Sequence, residues 1–273
     1  MTQLIKRVVV SLDAASETGT AIDTAARLAA HWHVPLCGVF VEDEELVCLA
    51  GLPFACQFTV TAGREPLTED HIEDHFRAFA GRARRELDVA ARRHGADSSF
   101  EVVRGPLAAD AFGRADQDLI VAGAATRPIG GYFRVASHWW SSIAIIARPF
   151  LLAQREWDTG GSVLAILGSH GPVSVRTLDI AAQIANFCSA TLTVAGPPDL
   201  GSDDFENWVS QHLEGRRLTF QTELARTVAA GLRHRIIELD CRLLVVEAGT
   251  AGTWQDALRE HLPHLSCDLL VVS

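Results

Sequence analysis

Residues 20–43, TAIDTAARLAAHWHVPLCGVFVED, lie over residues 176–199, RTLDIAAQIANFCSATLTVAGPPD, without a gap. Asp23/Asp179, Ala25/Ala181, Ala26/Ala182, Ala29/Ala185, Leu36/Leu192 and Asp43/Asp199 coincide, and apolar positions agree elsewhere. An apolar run precedes each copy, RVVVSLD at 7–13 and SVLAILG at 162–168. Each copy also ends in a pair of apolar runs: DLIVAG (118–123) with RPFLLA (148–153), and RLLVVEAG (242–249) with CDLLVVS (267–273). Copies this long are duplicated domains rather than the short units of a solenoid. The expected boundaries are 1–154 and 162–273, joined by the polar, glycine-containing QREWDTGGS (154–162).

A chain of 273 residues is long enough for two domains that each bury a core. It is 48% hydrophobic, with no apolar run near the roughly 20 residues needed to span a bilayer. The amino terminus, MTQLIKRVVVSLD, has no secretory-signal pattern, so a cytoplasmic protein without membrane insertion is expected. The net charge of −10 argues against nucleic acid as a partner, because phosphate binding needs a concentrated basic surface. Arginines interleaved with acids, as in RARRELDVAARR (82–93), read as a solvated helix face. None of the six cysteines forms a C-x-x-C pair, and buried free thiols are the expectation for most of them. Cys48 and Cys56 lie apart, in a loop-like stretch.

In the first copy, strand-like and helical patterns alternate. The strands are 8–12, VPLCGVFVED, SSFEVVRG, DLIVAG and PFLLA; helices are read at 21–32, 69–93, PLAADAFGRAD and SHWWSSIAIIA. Residues 44–68, with Gly51, Pro53, Gly63 and Pro66, read as a long irregular loop of the kind that serves as a lid. The second copy repeats the order without that loop. Strands alternating with helices imply right-handed crossovers, and continuous apolar strands imply a parallel sheet covered on both faces. The fold class is therefore α/β: two tandem, Rossmann-like, five-stranded parallel-sheet domains related by a pseudo-twofold, with PFLLA and DLLVVS placed to meet.

The segment 118–153 carries a resemblance. Gly123 ends a strand, and the spacing G-x2-G-x9-G-(S/T) counted from it lands on Thr126, Ala136 and Ser137, with Pro149 opening the last strand. With the strand order and the first-strand Asp13, this spacing resembles the universal stress protein family in its tandem form, over nearly the whole chain. The resemblance implies an adenine-nucleotide alpha-hydrolase-like fold with ATP at the carboxyl ends of the strands. Asp13 would lie near the nucleotide, the chain around Val41 would contact adenine, and the loop of Gly123, Thr126, Ala136 and Ser137 would wrap the phosphates. Thr126 and Ala136 replace glycines that such a loop uses for close approach and positive φ, so it is reshaped; Arg127 offers a phosphate a cation. In the second copy Gly168 replaces the Asp, and nothing after Val246 keeps the spacing, so loss of nucleotide binding is expected there.

Other constellations have plainer readings. His71 and His75 share a helix face, but HIEDH is not H-E-x-x-H and offers no third ligand. Lys6 is the only lysine, which rules out a Walker A loop, and no serine sits in a G-x-S-x-G elbow. Of Trp139 and Trp140, adjacent on a helix, one is free to contact a partner. Three functions remain open: a non-enzymatic stress-response or regulatory protein with at most a weakened ATP site in the first domain, a genuine ATP-binding and slowly hydrolysing protein, and an accessory subunit of a transporter or enzyme. Expected partners are an unspecified protein and an adenine nucleotide, with further homodimerisation left open.

Overall fold

The computed structural model describes residues 4–12, 18–42, 44–52, 54–59, 63–104, 117–123, 148–157, 160–169, 171–196, 202–224, 231–248 and 266–273. The chain divides into two compact units, one Ile5–Ile145 and the other Ile146–Ser273 with Met1–Leu4. The first contains β1 (Arg7–Leu12), α1 (Thr18–Trp32), β2 (Leu36–Glu42), α2 (Glu44–Ala50), β3 (Cys56–Thr59), β4 (Gly63–Pro66), α3 (Glu69–His94), β5 (Ser98–Arg104) and β6 (Asp118–Gly123). The second contains β7 (Phe150–Ala153), β8 (Ser162–Ile166), α4 (Pro172–Cys188), β9 (Thr191–Gly196), α5 (Ser202–Leu213), β10 (Phe220–Leu224), α6 (Leu232–Glu238), β11 (Cys241–Glu247) and β12 (Asp268–Val272). Both are α/β, as the alternating pattern requires.

In the first unit the sheet order is β6-β1-β2-β5, and each of these neighbouring pairs is parallel. In the second it is β10-β9-β8-β11-β12-β7, parallel except for the last pair. There β7 runs antiparallel to β12, with Leu151 opposite Leu270, Phe150 opposite Val271 and Leu152 opposite Leu269. RPFLLA and CDLLVV align residue for residue in the repeat, so this pairing is symmetric about Leu151 and Leu270. β7 lies in the second compact unit.

The duplication extends to burial. In α1 the buried residues are Ala21, Ile22, Thr24, Ala25, Ala26, Leu28 and Ala29. In α4 the same register buries Thr177, Leu178, Ile180, Ala181, Ala182, Ile184 and Ala185. Small side chains on this face let each helix lie close on strands buried on both sides. The shared acids have equivalent roles: Asp23 accepts from Arg93 and His94 at the end of α3, and Asp179 pairs with Arg216 just after α5. One core position is exchanged. Phe40 is fully buried in β2, whereas its counterpart in β9 is Gly196. A Cβ at Gly196 would stand 2.6 Å from the Phe205 ring, so the aromatic volume arrives from α5 instead.

One expectation differs from the fold observed. Residues 44–68 are not irregular throughout: α2 and the antiparallel β3–β4 hairpin occupy most of the stretch. Gly63 has φ +73° there, and Pro66 sits at the end of a two-stranded edge where its missing N–H costs no ladder bond. Two helical turns and four-residue strands are too short for periodicity to reveal. In the linker segment 154–162, the described residues make hydrogen bonds. Asp268 Oδ1 accepts from the Gln154 and Arg155 N–H groups at 2.7 and 3.1 Å, and its Oδ2 accepts from the indole of buried Trp157. The Gly160 N–H donates to Cys188 O at 2.8 Å. The helices expected at PLAADAFGRAD (106–116) and SHWWSSIAIIA fall outside the described residues, with Trp139 and Trp140. All six cysteines are free thiols. Among the described residues no helix is long and apolar enough to cross a membrane.

Gly196→Ala is expected to lower the urea midpoint, at a cost of about 2 kcal/mol through overpacking against Phe205, and Phe205→Leu in the same chain should restore part of it. Burial pushes the Asp268 carboxyl up to about 6, against the pull of its three donors. The folded chain then holds this proton more tightly than the unfolded chain does. The stabilisation from Asp268 is therefore full below pH 4, fades as pH rises toward 6, and is gone above it. Denaturation of the parent and Asp268→Asn between pH 4 and 7 should show the parent's advantage shrinking across that window.

Candidate functional site

In an open parallel sheet, ligands enter where the strand order reverses, beyond the carboxyl ends of the strands. In the first unit that point lies between β1 and β6: the chain proceeds from β1 to β2 and β5 on one side, then returns to β6 on the other. Val8 is opposite Leu119 and Ser11 opposite Ala122, which puts Gly123 level with Leu12. On the far side of β1, Val41 is buried at 2% exposure and pairs with Val103. The neighbouring pair, Glu42 and Arg104, is joined by a 2.9 Å ion pair, and Arg104 reaches Glu73 of α3 at 3.5 Å. This cross-link fixes the rim of β2 and β5 to α3. The two carboxylates raise the Arg104 pKa, Glu42 most strongly, so its charge is permanent.

Of the expected nucleotide-site residues, Val41 and Gly123 stand on the two strands flanking β1, at the same end of the sheet. Asp13, Thr126, Arg127, Ala136 and Ser137 lie outside the described residues. The described part thus has a buried apolar residue at Val41 and a strand end without a side chain at Gly123. Among the described residues no cluster of three or more His, Cys, Asp or Glu is arranged to hold a metal ion.

The corresponding point of the second unit lies between β8 and β11 and is fully described at the strand ends. Val163 is opposite Leu243 and Ile166 opposite Val246, so Glu247 occupies the place that Gly123 has in the first unit. Gly168 follows β8 where Asp13 follows β1. The Glu247 carboxylate spans the gap between these strands. It accepts from the Gly168 N–H at 2.9 Å, from Ser174 Oγ at 2.7 Å and from Ser169 Oγ at 3.4 Å. Ser174 is fully buried on α4, and Ser169 Oγ also receives the Gly171 N–H at 3.1 Å.

Sequence reasoning missed Glu247, Ser174 and Ser169. Glycine spacing finds no motif after Val246, whereas matching DLIVAG to RLLVVE by strand register sets the Glu against the Gly at once. Ser174→Ala removes a buried hydroxyl that donates to a carboxylate. It is expected to cost about 2 kcal/mol, read as a lower chemical-denaturation midpoint with unchanged slope.

Comparison with known proteins gives a consistent architecture. A universal stress protein from Archaeoglobus fulgidus DSM 4304 matches over 96% of this chain and 95% of its own, with TM-score 0.58 and 12% identity. A putative universal stress protein from Pseudomonas aeruginosa UCBPP-PA14 matches over 98% and 93%, with TM-score 0.59 and 16% identity. A functionally unknown protein from Pseudomonas aeruginosa PAO1 matches over 98% and 92%, with TM-score 0.57 and 16% identity. No protein-family model matches the sequence, and no curated protein matches it significantly. At such identities the likeness is one of backbone architecture: over nearly its whole length, the chain has the universal stress protein fold.

Proposed function

We propose that this chain is a non-enzymatic stress-response or regulatory protein that acts by binding, with at most a weakened adenine-nucleotide site in its first unit. The observation that carries the reading is the contrast between the two strand-order reversals. In the first, a glycine ends the returning strand, and apolar Val41 lies at the same end of the sheet. In the second, a carboxylate already takes the hydrogen bonds that a phosphate would need. Two of the loop's three glycine positions carry Thr126 and Ala136, whose Cβ atoms oppose the close backbone approach that phosphate wrapping requires. The absence of a nucleophile elbow and of a Walker lysine supports binding rather than turnover.

Titration of the full chain with labelled ATP and Mg²⁺ tests this. The expected affinity is no tighter than about 1 mM, or −4 kcal/mol. Gly123→Glu, which copies the second unit's residue into the first, should abolish the residual binding. Tighter, sub-millimolar binding that is lost in Asp13→Ala would instead establish a genuine ATP-binding protein, and nucleotide turnover in that assay would make it an enzyme.

A further inference from the structure

Between the two copies an acid and a glycine have traded places. The first copy has Asp13 after its first strand and Gly123 at the end of its fourth; the second has Gly168 and Glu247. Moving the acid to the fourth strand points it back across the sheet at the start of α4. Its cap residue Gly171 makes no side-chain cap bond, Pro172 follows, and its first turn has no acidic residue, as is also true of the first turns of α1 and α6. By contrast, α3 begins with a Thr68 cap and Glu69 and Asp70, and α5 has Asp203 and Asp204 in its first turn. The exposed N–H groups and positive dipole end of a helix favour an anion.

We propose that Glu247 is the resident anion of the second unit: a carboxylate, tethered by the chain itself, that fills the phosphate position at the β8–β11 reversal and closes it to nucleotide. This deepens the proposed function and rests on its reading of the strand-order reversals as the anion-binding ends of the two units. Among the described residues three donors converge on this carboxylate, the Gly168 N–H and the hydroxyls of Ser174 and Ser169, and Ser169 Oγ in turn accepts from the Gly171 N–H. A phosphate arriving there meets donors already engaged and a like charge a few ångströms away. The ligand class displaced is a phosphate-type oxyanion, which presents the same acceptor oxygens.

Thermal melts of the full chain and Glu247→Gly, with inorganic phosphate raised at constant ionic strength, test the proposal. Glu247→Gly should melt lower by roughly 5 °C and recover progressively as phosphate is added, because a ligand of the folded state alone stabilises by mass action. The recovery should persist when Gly123→Glu is also present, since that substitution acts on the first unit. A melt equal to the parent's, a loss without phosphate recovery, or a recovery that disappears with Gly123→Glu each overturns the proposal. If Glu247→Gly does not fold, Glu247→Gln decides: it keeps the shape but not the charge, and a melt as high as the parent's refutes the resident anion. Sub-millimolar ATP binding by the parent that is lost in Asp13→Ala would sink the first-unit reading and leave this result standing.

Discussion

A parallel sheet cannot leave a face in water, and this requirement organises both units. Their central strands are buried throughout, so a helix must lie against them, close enough that no gap opens. The seven matched buried positions of α1 and α4 record that demand twice in one chain. Where one copy shifts volume, the other compensates locally, as with Phe40 in the strand of one and Phe205 on the helix of the other. Architecture is thus preserved while the chemistry at the strand ends diverges.

Much of this was legible from the residues. The ungapped match of 20–43 with 176–199 signalled duplication, and the apolar runs gave nearly every core strand within a few residues. Val41 and Gly123 lie at the same end of the first sheet, on the strands either side of β1. The legible features share a cause: they are repeated, long or strongly periodic. The hairpin at Cys56–Pro66 and the short α2 are none of these, so 44–68 read as a loop.

The hub at Asp268 was hidden for another reason. A polar segment such as QREWDTGGS reads as a spacer, and only tertiary structure shows that two backbone N–H groups and the Trp157 indole converge on one buried carboxylate. Glu247 was hidden by the choice of signal. Searching for surviving glycines asks where an old site persists, not what took its place. Strand register asks the second question, since it fixes equivalence by hydrogen-bond pairing rather than by residue type.

The trade of acid and glycine is possible because the two halves are encoded separately. A protein assembled from two identical subunits inherits every change at both of its strand-order reversals, so a plug in one hollow would shut the other as well. Writing the fold twice in one chain removes that tie. One half becomes free to hold itself closed with its own carboxylate while its sibling keeps a bare strand end, and a single molecule acquires two unlike faces from one ancestral design.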